Sequence, residues 1–267
     1  MQTNHHQDTY KTKSMFTLSI IIPTYNESGN IIKLLDKIKE NLYHNIFTEI
    51  IVVDDSSPDG TGNIVQNYID NDDDYKKKKN SFKENINYSI HVLNRKEKNG
   101  LIPAILEGVK FSQGDYILVM DADFSHPPEI IPQMVEKLLD DSHSIVIASR
   151  YIKNGAIVGW PFKRRVISKS AAIIAKIGLH VNNVTDPMSG FFAVPRSLME
   201  NLQIDTKGYK ILLEILVKSK HMHIYEIPYT FTDRKSGKSK MGYNVIFDYI
   251  GSVWQLYNYG RKKYEKK

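Results

Sequence analysis

From Leu18 to Ser149 the chain alternates between two hydrophobic rhythms. Short, largely apolar runs at Leu18–Ile22, Ile50–Val53, Ile90–Leu93, Tyr116–Met120 and Ser144–Ala148 read as strands buried on both faces, the kind found inside a parallel sheet. Between them the apolar residues recur at helical spacing. The clearest case is Ile31–Leu42, with Ile31, Leu34, Leu35, Ile38 and Leu42 on one face. Helices are also predicted from about Gly62 to Ile69, over Ile102–Phe111, and over Glu129–Asp140, where Pro127-Pro128 suits a first helical turn. The order β-α-β-α-β-α-β-α-β with short connections predicts an α/β fold, a Rossmann-like and mostly parallel central sheet flanked by helices.

The fourth strand stops abruptly at Asp121 and Asp123, two carboxylates one residue apart. Side chains alternate along an extended chain, so both acids are expected to point the same way at the strand's C-terminal end, where open α/β sheets bind ligands. Carboxylates this close repel unless a cation sits between them, and hard oxygen ligands favour Mg²⁺ or Mn²⁺. Two other strands end in acids on the same expected edge, at Glu27 and at Asp54-Asp55. Acids near the first two strands suit ribose hydroxyls and a base edge, whereas those near Asp121 suit a metal that neutralises a diphosphate. A sugar nucleotide needs both.

Beyond Tyr151 the alternation weakens. Arg165–Leu179 interleaves Val166, Ile167, Ile173, Ile174 and Ile177 with Arg165, Lys169 and Lys176, an amphipathic basic helix suited to packing on the domain or to lying on a membrane surface. Asp186–Ala193 reads as a turn entering a short strand, Tyr209–Lys218 as a helix, and Ile224–Pro228 as a strand. Arg234–Lys240 is a loop dense in cations and hydroxyls, and Asn244–Tyr259 a final aromatic helix.

Composition narrows the picture. A chain of 267 residues is enough for one large domain. The expected organisation is a tail over 1–15, a catalytic domain over 16–243 interrupted by a polar surface insertion at 71–87, and a C-terminal helix with a basic tail over 244–267. Cysteine is absent, which excludes disulfide frameworks and thiolate zinc sites. Met1–Lys13 lacks the apolar core of a signal peptide, and no stretch approaches the ~18 apolar residues of a membrane span. The net charge of +6 comes partly from Lys163-Arg164-Arg165 and from the tail at Arg261–Lys267, clusters suited to anionic lipid. Neither a Gly-x-Gly-x-x-Gly nor a Walker loop is present, and no aromatic-interleaved basic stripe points to nucleic acid.

Together these motifs resemble the glycosyltransferase family 2 enzymes of the GT-A fold and, among them, the dolichol-phosphate mannose synthases. The match runs from Leu18 to about Tyr249. It is carried by Ile21–Glu27, Val52–Thr61, Met120–Asp123, Ser149-Arg150-Tyr151, Asp186–Phe192 and the Arg234-x-x-Gly237-x-Ser239-Lys240 loop. The resemblance implies inverting transfer of mannose from GDP-mannose to dolichyl or another polyprenyl phosphate, using Mg²⁺ or Mn²⁺. It also implies that Pro23, Tyr25, Glu27 and Asp55 contact guanosine, and that Asp121 and Asp123 contact metal and diphosphate. Ser125 stands where some members carry a glutamine ligand, and being shorter it would reach the metal through a bridging water. Arg150, Arg164, Arg234 and Lys240 would gather phosphate charge, with Asp123, Arg150, Arg234 and Lys240 as the catalytic set and Ser189 on the acceptor side.

The chemistry agrees with that reading. An acceptor phosphate is already ionised near pH 7, so the task is to bring two anions together rather than to remove a proton. A transferase acting on a hydroxyl would instead need a carboxylate base, for which Asp186 and Glu214 are the candidates. A UDP-hexose donor is the alternative within enzymes, and a non-catalytic sugar-nucleotide subunit the alternative outside them. Some relatives carry transmembrane helices that this sequence lacks. The expected location is therefore cytoplasmic and peripheral to a membrane (endoplasmic reticulum or plasma membrane), by direct docking or through an anchoring subunit.

Overall fold

The structure, a computed structural model, describes residues 16–71, 87–205, 210–233, 251–259 and 261. The expected 1–15 tail, almost all of the 71–87 insertion, the Arg234–Lys240 loop and most of the basic tail lie outside these residues.

Elements follow the hydrophobic rhythms closely. Strands β1 (Thr17–Thr24), β2 (Phe47–Asp54), β3 (Tyr88–Asn94), β4 (Tyr116–Val119) and β5 (Ser144–Ser149) alternate with helices α1 (Ile31–Glu40), α2 (Thr61–Asn71), α3 (Leu101–Phe111) and α4 (Ile131–Asp140). A 3-10 turn at Pro128–Ile130 leads into α4. Next come β6 (Ala156–Val158), α5 (Phe162–Leu179), β7 (Phe192–Pro195), α6 (Arg196–Asn201), α7 (Ile211–Lys218), β8 (His223–Pro228) and β9 (Thr230–Thr232). Residues 251–259 are helical.

Among the described residues, seven strands form one sheet in the order β3-β2-β1-β4-β7-β5-β8, and β6 pairs with β9 beside it. Within the main sheet every pairing is parallel except the two made by β7. The strands are buried on both faces, so their residues divide by parity. Ile20, Ile22, Ile50, Val52 and Leu118 pack toward α1, α2 and α4. Ile21, Ile51, Val53, Ile117 and Val119 pack toward α3, α5, α6 and α7.

Three features depart from the sequence expectations. Strand β7 runs antiparallel between β4 and β5, so the fifth parallel strand is not beside the fourth. The β6–β9 pair and α6 have no periodic signal, because three-residue strands and a six-residue helix are too short to show one. Finally, β4 ends at Val119, so Asp121 and Asp123 lie on a bent loop. Loop geometry, not strand alternation, sets where those acids stand.

Candidate active site

The C-terminal ends of β1, β2, β3, β4, β5 and β8 and the N-terminal end of β7 share one edge of the sheet. Most candidate residues that the structure describes are at strand tips or on loops at that edge; Arg164 is on α5, after β6.

The first two strands end in a tightly bonded pair of turns. Asp54 Oδ1 accepts from Thr24 Oγ1 at 3.0 Å and Ser57 Oγ at 2.6 Å, and Oδ2 accepts from the Ser57 amide at 2.9 Å. Asp55 is paired with Arg95 at 2.5 Å and accepts from the amides of Asn99 at 3.0 Å and Gly100 at 2.8 Å. Both acids are buried. The turn Pro23–Glu27 is held against them. The Glu27 amide donates to Thr61 Oγ1 at 3.0 Å, its carbonyl accepts from the first amides of α1, and its carboxylate accepts from Asn30 Nδ2 at 2.8 Å. Lys98 Nζ stands 3.4 Å above the Tyr25 ring, a cation–π contact that fixes the orientation of the ring. Asn26 and Ser56 have φ of 61° and 60°, and left-handed backbone at non-glycine positions concentrates at ligand-binding turns.

The loop after β4 is built differently. The Asp121 side chain is 43% exposed. Asp123 Oδ1 accepts from the Ser125 amide at 3.1 Å, and Phe124 between them has φ of 60°. Ser125 is only 2% exposed, which makes it the most enclosed of the three expected metal contacts. Among the described residues no cluster of three or more His, Cys, Asp or Glu side chains forms a self-sufficient metal cage. Two carboxylates on one loop nevertheless fit Mg²⁺ or Mn²⁺, which are usually bound by one or two carboxylates together with substrate phosphates. The donor set is incomplete in the way that a diphosphate would complete.

His126 closes this loop, a part that sequence reading had not given it. Its Nδ1 accepts from the Asp121 amide at 2.9 Å, and the ring stacks on Phe191 at 5.0 Å. Burial pushes its pKa below the ordinary histidine value, so the ring is neutral near pH 7.

The acceptor-side cations are mostly engaged. Arg150, expected as a free phosphate contact, grips Asp186 through Nε at 2.7 Å and Nη2 at 2.8 Å, and its amide donates to the same carboxylate at 3.1 Å. Burial opposes the guanidinium charge, but the bonds and charge of Asp186 hold its pKa above the ordinary arginine value. Glu226 fixes this arrangement by accepting from the amides of Thr185 at 2.8 Å and Asp186 at 2.9 Å. Arg164 forks onto Asp233 at 3.0 and 3.1 Å and lies 4.1 Å over Trp160. Among the described residues, Arg164 Nε and Trp160 Nε1 are buried donors without an acceptor. Ser189 is buried, its hydroxyl bonded across its own turn to the backbone of Phe191. Arg234 and Lys240 fall outside the described residues.

Lys210 is a second residue that sequence reading missed. Its Nζ donates to the Met188 carbonyl at 3.4 Å. Burial, then the charge of Arg150, lowers its pKa to about 8, while Asp186 and Asp121 pull it back up. It thus feels charge from both the Arg150–Asp186 pair and the loop after β4. In the sequence its signal was a cation directly before the largely apolar Ile211–Val217 segment.

Neither candidate base is free to take a proton from a hydroxyl. Asp186 carries the Arg150 guanidinium, and Glu214 is fully buried against Lys218 at 2.6 Å while accepting from the Asp205 amide at 2.9 Å.

Residues 19–213 match the model of Glycosyl transferase family 2. The chain belongs to this family. It is 38% identical over 240 residues to the dolichol-phosphate mannosyltransferase of Pyrococcus furiosus, covering 90% of this chain and 63% of that protein. The corresponding enzyme of Saccharomyces cerevisiae is 33% identical over 250 residues, covering 90% of this chain and 86% of that protein. The chain thus spans under two thirds of the archaeal relative's length but most of the yeast one. In fold it is similar to glucosyl-3-phosphoglycerate synthase from Mycobacterium tuberculosis, crystallised with Mn²⁺, UDP-glucose and phosphoglyceric acid. The TM-score is 0.66 and the identity 17%, over 91% of this chain and 80% of that one. The family and fold resemblance carried by the motifs is borne out.

Proposed function

We propose that this chain transfers mannose from GDP-mannose to dolichyl or another polyprenyl phosphate. The observation that carries the proposal is on the acceptor side. There Asp186 is bound to Arg150 and Lys210 adds positive charge, and among the described residues Arg164 Nε and Trp160 Nε1 are buried donors without an acceptor; Glu214, the other carboxylate suited to hydroxyl activation, is bound to Lys218. That environment suits an acceptor that arrives already ionised. The names of the archaeal and yeast relatives support mannose as the transferred sugar and dolichol phosphate as the acceptor.

In this reading an acceptor phosphate oxygen attacks the anomeric carbon, the bond to the diphosphate oxygen breaks, and GDP departs with the electron pair, inverting the centre. No proton need move. A divalent cation, Mg²⁺ or Mn²⁺, held by Asp121 and Asp123 would neutralise charge on the departing diphosphate. The rest falls to the protein. Pro23, Tyr25 and Glu27 seat the nucleoside, and Asp55 offers the lone-pair position that its three bonds leave unused. Arg150 and Lys210 lower the repulsion between the two anions, joined by Arg164, Ser189, Arg234 and Lys240 around the acceptor. Arg150 is locked by Asp186, so it acts as a preorganised charge and not as a mobile clamp.

The lipid must reach this edge from a membrane. Helix α5 exposes Phe162, Val166, Ile167, Ile173, Ile174 and Ile177 beside Lys163, Arg165, Lys169 and Lys176, and Trp254 is exposed on the 251–259 helix. No helix among the described residues is long and apolar enough to cross a bilayer. These faces suit peripheral docking on anionic lipid, alone or beside an anchoring subunit. Incubating the protein with radiolabelled GDP-mannose or UDP-glucose, dolichyl phosphate and Mn²⁺ tests the assignment. Chloroform-soluble label is expected from GDP-mannose. Label from UDP-glucose alone would transfer the reading to a glucosyl donor.

A further inference from the structure

We propose that His126 is a positioning residue for Asp121, fixing the carboxylate that faces the cation and the diphosphate. The inference deepens the reading of the acidic loop and rests on it.

Asp121 is the exposed member of the pair, and an exposed aspartate on a bent loop has no strand to hold it. What holds it is the far end of its own loop. The imidazole comes back to accept the Asp121 amide hydrogen at Nδ1, 2.9 Å away. That bond settles the tautomer, because a neutral ring accepting at Nδ1 carries its hydrogen on Nε2. Nε2 stands 3.7 Å from Asp121 Oδ2. The distance is slightly beyond a hydrogen bond, and catalytic contacts of this kind often tighten once the ligand is bound.

The ring has little freedom to leave. It is 2% exposed, stacked on Phe191, with Tyr229 and Phe231 edge-on at 6.0 and 6.4 Å. Its space is provided by Gly190, where an added Cβ would lie 3.2 Å from His126 Cε1 and 3.6 Å from Asp121 Oδ2. The glycine lets imidazole and carboxylate approach each other across the Ser189–Phe191 turn. A histidine that merely filled the core would not need one nitrogen bonded to the amide and the other 3.7 Å from the carboxylate of the same aspartate. Outer partners of metal-ligating carboxylates generally act in this way, orienting a ligand without touching the metal.

The test is Mn²⁺ binding to the purified protein in the presence of GDP, read from the electron paramagnetic resonance of free Mn²⁺, beside GDP binding without metal and the melting temperature. His126→Phe keeps the packing and removes both nitrogens. Mn²⁺ affinity is expected to fall roughly 10- to 100-fold, with metal-free GDP binding unchanged. His126→Asn places an amide oxygen where Nδ1 accepts and is expected to recover most of the loss, whereas His126→Gln, whose polar group reaches the Nε2 position, should not. The Asn and Gln variants decide the matter even if the Phe variant does not fold. Gly190→Ala should weaken Mn²⁺ in the same direction. Parent-like Mn²⁺ affinity in His126→Phe, or equal affinity in the Asn and Gln variants, would overturn the proposal. Asp121→Asn is the control: if it binds Mn²⁺ like the parent, the acidic-loop reading itself fails, whatever His126 does.

Discussion

Asp54-Asp55 and Asp121-Ala122-Asp123 occupy equivalent places in the fold, at the tips of the two parallel strands that flank β1. In the sequence they look alike. In the structure the first pair is buried, at 4% and 5% exposure, and held by Thr24, Ser57, Arg95 and the amides of Asn99 and Gly100. The second pair faces outward, with the Asp121 side chain 43% exposed. The difference lies in what each following loop supplies. A loop rich in donors engages its acids, whereas the loop after β4, with an amide on Asp123 and an imidazole behind Asp121, keeps the Asp121 carboxylate 43% exposed.

The strongest way to break that contrast is to remove the outward pair. Asp121→Ala and Asp123→Ala are each expected to cost transfer roughly 10²- to 10³-fold, with melting within a few degrees of the parent. Parent-like turnover would end the comparison. The inward pair should behave oppositely. Asp55→Ala leaves two amides bare and Arg95 with its half-exposed partner Glu107, and Asp54→Ala frees three donors, so each should cost about 2–3 kcal/mol of stability in urea unfolding. Unchanged stability would mean that these bonds do not hold the two turns together.

Lys210 gives a smaller, pH-dependent effect. Its folded pKa of about 8 lies below the ordinary lysine value of 10.5, so the cation is lost as pH rises through 8. Binding of GDP and of the acceptor phosphate should therefore weaken severalfold across that range, and Lys210→Met should flatten this limb of the profile. Stability moves the other way. The folded state carries the cost of a charged, poorly hydrated lysine below pH 8, and this cost is lifted as pH rises from 8 toward 10.5. The smallest expected effect is that of Ser125→Ala, less than about threefold on Mn²⁺ affinity, since a buried serine near the loop acts at most through water.

Much of the fold was legible because it rests on local rhythm. Unbroken apolar runs such as Ile50–Val53 and the helical spacing of Ile31–Leu42 state their own burial. Strand β7 was not legible as a reversed insertion, since four buried residues carry no direction. In the site, residue types and strand ends were readable, but partners were not. Arg150 meets Asp186 across 36 residues of sequence and Arg164 meets Asp233 across 69, so cations that look free in the sequence are held in pairs. Lys210 escaped for the same reason, its partner Met188 standing 22 residues away. His126 escaped differently, because its bond to Asp121 depends on how one loop bends and its packing on Phe191, Tyr229 and Phe231 from distant segments.

The central claim is that the loop after β4, and not the acids after β2, holds the divalent ion with the nucleotide. Titrating Mn²⁺ into GDP complexes of the parent, Asp123→Ala and Asp55→Asn by calorimetry tests it most directly. The account predicts that the metal-dependent gain in GDP affinity disappears in Asp123→Ala and survives in Asp55→Asn. A gain that survives in Asp123→Ala and disappears in Asp55→Asn would contradict it.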